Sequence, residues 1–133
     1  MRIDFSNCHV LNSNEINIHD DVLCNMHFDR EKGELRVRLQ KPLEGDREYE
    51  IKFSNVIGVS ISACNFWGRS PHVLDFEYVE SNEQVLFPKL EHTRRERHPQ
   101  CKLQTGTVFI ETVMTFISGD VLNVVCEAIT WEQ

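Results

Sequence analysis

The sequence predicts an antiparallel β protein, a sandwich or partly open barrel closed by a long C-terminal hairpin and built as one domain over residues 1–133. Three observations carry this expectation. Thr107 to Ile117 and Val121 to Trp131 are long runs rich in Val, Ile, Thr and Phe, parted only by Ser118-Gly119-Asp120. Such a hairpin needs a sheet to pack in. Period-two alternation of apolar and polar residues recurs along the rest of the chain, and Gly and Pro punctuate it at short intervals. With 133 residues, 41% hydrophobic and 26% charged, the chain is long enough to bury a core and has an ordinary globular composition.

The first strand pair is Val22 to Phe28 and Leu35 to Leu39. Val22, Cys24, Met26 and Phe28 alternate with Leu23, Asn25 and His27, then Asp29 to Gly33 offers a turn. Leu35, Val37 and Leu39 alternate with Glu34, Arg36 and Arg38 until Pro42, which cannot donate to a ladder. After the turn at Glu44-Gly45-Asp46, Tyr49, Ile51 and Phe53 alternate with charged residues. The run continues through Val56 to Ile61 with a one-residue slip of register near Asn55. That slip predicts a bulge or a bend into a new strand, and Gly58 predicts a close backbone approach.

Val73 to Val79 reads as a strand with Leu74, Phe76 and Tyr78 on one face and Asp75 and Glu77 on the other. Val85-Leu86-Phe87 reads as a short strand ended by Pro88. Residues 89–104 are polar and read as a long loop or a short helix. Residues 90–103 are expected to be the most mobile internal segment, because they hold too little apolar area to offset the entropy of ordering. The terminal hairpin is apolar on both faces, which predicts strands that are central or covered on both sides. An α+β fold, with a helix in residues 89–100 or in the first twenty, is the alternative.

Charge and cysteines narrow the function classes. The net charge of −7 argues against general nucleic-acid binding. No run approaches the ~20 apolar residues of a membrane span, and Met1 to Asn7 has no apolar secretory region. The expectation is a cytoplasmic protein without a membrane. The five cysteines, Cys8, Cys24, Cys64, Cys101 and Cys126, form no C-x-x-C pair and read as free thiols. Cys24 and Cys126 lie on β-patterned runs and read as small core residues. Lys89 to Lys102 sets five basic residues against Glu91 and Glu96, so Arg94, Arg95 and Arg97 form a secondary basic candidate, or a solvated loop.

Candidate chemistry is sparse. His19-Asp20-Asp21 is the densest polar cluster, but neighbours on an extended chain point to opposite faces and cannot all converge. His92, His98 and Cys101 match no standard zinc spacing. Cys8-His9 are neighbours in sequence, which implies no catalytic geometry. There is no G-x-S-x-G and no phosphate-cradling glycine loop. No catalytic residue, metal or cofactor is therefore assigned. Phe66-Trp67-Gly68-Arg69-Ser70-Pro71 is the most distinctive string. Aromatics and Arg are enriched at binding hot spots, so Phe66, Trp67 and Arg69, with Asp75 and Glu77 on the next strand, form the candidate contact site. The alternative is that Trp67 covers one end of the core.

The ordered string His19-Asp20-Asp21, Phe28-Asp29, Gly33-Glu34-Leu35, Tyr49-Glu50-Ile51, Phe53-x-Asn55-Val56, Phe66-Trp67-Gly68 and Leu74-Asp75-Phe76-Glu77 resembles small, largely uncharacterised bacterial β-rich proteins. Some of these are similar to immunity proteins encoded beside polymorphic toxins. The resemblance implies a stoichiometric inhibitor of a toxin domain. The leading expectation is thus a non-catalytic cytosolic protein-binding module with a protein partner, and monomer or homodimer is left open. Its alternatives are a small-molecule-binding barrel with an interior cavity, possibly catalytic, and a self-associating structural module.

Overall fold

The period-two segments become strands in two antiparallel sheets. The computed structural model describes residues 1–13, 15–62, 72–102 and 106–132. The elements are β1 (Arg2–Ile3), β2 (Val22–Asp29), β3 (Glu34–Lys41), β4 (Arg47–Ser54), β5 (Gly58–Ile61), β6 (Val73–Tyr78), α1 (Leu86–Arg97), β7 (Ile110–Phe116), β8 (Val121–Cys126) and β9 (Ala128–Glu132). One sheet runs β1-β9-β4-β3-β2 and the other β5-β8-β7-β6. The alternating residues Leu35, Val37, Leu39, Tyr49, Ile51 and Phe53 turn inward from the first sheet. They meet Val73, Phe76, Met114, Phe116, Leu122, Val124 and Cys126 from the second in one continuous cluster. Phe53 and Phe76 meet edge to face across it, with centroids 6.0 Å apart.

The register slip near Asn55 is a corner. Asn55 takes a left-handed φ of 50°, a conformation its short polar side chain tolerates. The chain leaves β4 in one sheet there and enters β5 in the other. A second strand turns with it. The run Val121 to Trp131 is not one strand, as its composition suggested, but breaks at Glu127 into β8 and β9, which lie in different sheets. Pairs such as Phe53↔Ile129 lie on one side of the corner and Gly58↔Val125 on the other. Asn55 Nδ2 donates to Glu127 Oε2 (2.8 Å), and Glu127 N donates to Ser54 O (3.1 Å). Strands that switch sheets at such bends are how two packed sheets make corners.

The opposite seam is looser. The sheets do not close into a barrel, but Asp20 N donates to Val73 O and Val73 N to Asp21 O, each at 2.8 Å. Two bulges correct the face assignments. One between Leu23 and Asn25 puts Leu23, Met26 and Phe28 opposite Leu39, Val37 and Leu35 and leaves Cys24 exposed rather than in the core. One between Val73 and Asp75 buries Val73 and leaves Leu74 45% exposed. A one-residue insertion reverses every later side chain, which plain alternation cannot show. β2 is an eight-residue edge strand, and Phe28 projects 47% exposed from it.

The expected strand at Val85-Leu86-Phe87 is instead the start of α1, and of the two expectations for residues 89–104, a long loop or a short helix, the helix is what forms. The helix buries none of its side chains fully, so an amphipathic stripe does not hold it. It is held from outside. Glu111, 1% exposed on β7, aims its carboxylate at the helix start. It accepts from Val85 N (3.0 Å), Leu86 N (3.2 Å) and Phe87 N (2.6 Å). Pro88, next in line, has no N–H to satisfy. A buried carboxylate on these donors also sits at the positive end of the helix dipole. Phe87 meets Phe109 at 6.3 Å between ring centroids. Leu90 lies so close over Gly58 that a Cβ there would fall 2.2 Å from Leu90 Cδ1, which is the close approach Gly58 predicted.

Replacing Glu111 by Ala should therefore strand three donors and lower stability by about 3 kcal/mol, the range for hydrogen bonds to charged groups. Glu111→Gln, which keeps one acceptor oxygen, should lose less than half of that. Urea unfolding followed by the helical circular-dichroism signal checks both; equal losses would show that the cap is not the fastening.

Candidate functional site

The loose seam gathers the polar residues of the molecule. Asp21 precedes β2, Lys41 ends β3 and Tyr49 lies on β4, so three separate segments supply one network. The pairing of residues 20 and 21 with Val73 alternates their side chains. Asp21 turns in and is 6% exposed, while His19 and Asp20 stay outside. Asp21 Oδ2 accepts from the Tyr49 hydroxyl and from Lys41 Nζ (3.0 Å). Lys41 Nζ also donates to Asn17 O (3.2 Å) and stands 5.1 Å from the Tyr49 ring centroid. Trp131 stacks on Tyr49 at 6.1 Å. Burial, then the hydrogen bond to Asp21 and its charge, push the Tyr49 hydroxyl far above its ordinary ionisation range.

Sequence reasoning missed this network because its members are distant in the chain. One signal was available. A tyrosine at an inward position between buried Ile51 and the turn needs a partner for its hydroxyl.

Two clefts open at the seam and share Asn17 and His19. One, of about 420 Å³, lies between residues 17–21, His72 and Lys41 to Glu44. The other, of about 640 Å³, is a groove between the arch formed by residues 11–13 and 15–19 and the outer edge of β6. Asp75, Glu77, Glu80 and Glu83 line that groove, and no Lys or Arg is among its described lining. Among the described residues none of these four carboxylates is ion-paired. The arch is tied to β6 at both ends. Asn12 Nδ2 donates to Tyr78 O (3.1 Å) while Tyr78 N donates to Asn12 Oδ1 (2.8 Å). At the other end His19 Nδ1 lies 2.9 Å from Leu74 O.

Of the expected contact residues, Asp75 and Glu77 lie together on the exposed side of this groove. Phe66, Trp67 and Arg69 fall outside the described residues. The basic candidate divides. Arg94 is a fastener: it bonds Glu91 at 3.1 Å and donates to the Cys101 carbonyl beyond the helix. The bond to Glu91 raises the Arg94 pKa and lowers that of Glu91. Arg95 and Arg97 face solvent. His92 bonds Glu96 (3.2 Å) rather than joining His98 and Cys101. Among the described residues no three His, Cys, Asp or Glu side chains are placed to hold a metal ion. No described helix is long and apolar enough to cross a membrane. Burial pushes the Cys126 thiol up to about 12 and raises that of Cys8, so neither is a thiolate at neutral pH. Comparison of the chain with protein-family models, with curated proteins and with solved structures found no match.

Lys41 and Asp21 are mostly withdrawn from water, so breaking the pair should cost more than a surface ion pair does. Lys41→Met should lose about 3 kcal/mol, and Asp21→Asn in the same chain should restore part of the loss. A double-mutant cycle by denaturation measures the coupling.

Alkali tests the same site. Cys126 and Tyr49 ionise from ordinary values of 9.0 and 10.0 once the chain unfolds, and from higher values while it is folded. Their share of stability is fully present below pH 9.0. It is lost as pH rises from there, because the unfolded chain sheds these protons first. Tyrosinate absorbance from one of the two tyrosines should therefore appear only with unfolding, and Tyr49→Phe should flatten the decline.

Proposed function

We propose that this chain is a non-catalytic protein-binding module of the immunity type its sequence resembles, and that it takes the basic face of a toxin domain into the acidic groove along β6. The groove itself supports this reading: four carboxylates that have no partner cation among the described residues line one concave surface. Unpaired charges of one sign in a cleft focus the field and speed encounter with an oppositely charged surface. The net charge of −7 acts in the same direction.

Several groups suited to chemistry are already committed to the fold. Asp21 holds Lys41 and Tyr49, Glu111 holds α1, and Cys8 and Cys126 are buried thiols. The alternative of a ligand-binding barrel draws no support from the interior. Phe53, Phe76, Phe116, Met114 and Trp131 pack within one core cluster, and the two clefts described open at the surface.

The test is to read the genes on either side of this one for a toxin domain, whose absence would count against the immunity assignment, and to titrate the purified chain against any such domain by calorimetry. The complex should weaken as salt rises. Asp75→Lys with Glu77→Lys should reduce affinity by about 100-fold, roughly 2.8 kcal/mol, with the unfolding transition unchanged. Affinity insensitive to both salt and charge reversal would sink the groove reading. A neighbouring toxin that shows no binding would sink the immunity assignment.

A further inference from the structure

We infer that the groove receives an extended, basic segment of the partner by strand pairing, with Phe76 as the pairing residue. This rests on the reading of the groove as a partner site and adds how that partner is held. The argument begins with register. Val79 N donates to Glu111 O at 2.9 Å, in the same register that sets Glu77 against Val113 and Asp75 against Thr115. Alternate residues of an antiparallel strand turn their N–H and C=O to opposite sides. Asp75, Glu77 and Val79 therefore point theirs at β7, while Phe76 and Tyr78 point theirs outward.

That outward edge is occupied on either side of Phe76. Val73 gives its N–H and C=O to residues 21 and 20, and Leu74 O meets His19. At the far end the Asn12 side-chain amide bonds both the N–H and the C=O of Tyr78, reproducing what a residue of a neighbouring strand would do. Between them Phe76 turns one donor and one acceptor into the groove, and no described residue bonds them. An open pair on a strand edge is a template for another chain.

The side chains define what fits. A residue paired with Phe76 would lie on the same face as the Phe76 ring, beside Ile16 and Ile18 of the arch, so it should be apolar and β-branched. Its two neighbours would stand opposite Asp75 and Glu77 on the outer face. Those neighbours should be Lys or Arg. Glu80 and Glu83 lie further along the same groove for another cation. The segment recognised is thus extended and reads basic–apolar–basic.

The probe is an acetylated, amidated pentapeptide, Ser-Lys-Val-Lys-Ser, followed by amide NMR on the intact chain. The expected result is a shift of the Phe76 amide and at least tenfold slower exchange there. Methylating the backbone nitrogen of the probe's Val should weaken binding at least tenfold, and replacing both of its Lys by Glu should abolish it. If the methylated probe binds equally well and the Phe76 amide does not move, strand pairing is overturned while the acidic groove stands. If binding also survives Asp75→Lys with Glu77→Lys, the groove reading falls with it. Sedimentation showing a second copy of the chain in the groove would likewise overturn the assignment.

Discussion

The ribbon that bends between the sheets at Asn55 and Glu127 sets the register of both. β4 and β9 lie side by side before the bend and β5 and β8 after it, so one antiparallel pair serves two sheets. A slip of one residue on either side would turn every inward side chain to the outside. The Asn55–Glu127 hydrogen bond and the Glu127–Ser54 backbone bond hold the two chains in step at the point where slipping is easiest. The position of Trp131 against Tyr49, and of Tyr49 against Asp21, follows from this register. So does the meeting of the two sheets at the loose seam, where both clefts lie.

α1 shows a different route to order. A helix this polar gains little from burial, and an isolated helix of 12 residues is marginal in water. Here the strand beneath supplies the cap. Glu111 is a buried charge, tolerable only because three N–H groups face it. The helix therefore depends on β7, and the charge on β7 depends on the helix. Each resolves the other's unsatisfied groups.

Much of the β architecture was legible because a half-buried sheet writes itself as alternation. Leu35 to Leu39 and Tyr49 to Phe53 have the pattern, and they have the faces it implies. Legibility ended where a single residue was inserted. The bulges that expose Cys24 and Leu74 leave no mark in composition. The helix was legible only as an alternative to a loop, and its start was hidden for a related reason: its cap lies at Glu111, beyond any local window around Val85 to Phe87. The site was half visible. Asp75 and Glu77 were recognisable as a polar face, but the groove depends on the arch of residues 11–13 and 15–19, and the Asp21 network on three segments. Contacts between distant residues have no period to read.

The outer edge of β2 bears on how the protein behaves in concentrated solution. Among its eight residues only Asp29 carries a fixed charge, and no Lys or Pro guards it. Among the described residues its local defences are the bulge at Cys24, which interrupts the flat run a pairing strand requires, and the bridge from Val22 to His72 at one end. The charge of the whole body adds to the separation of copies. At neutral pH that charge is −7 and copies repel. Near pH 5.3 it vanishes while the row of backbone donors and acceptors remains. Colloidal stability is thus expected to be lowest in mild acid, where the edge of β2 meets the least repulsion from a neighbouring copy.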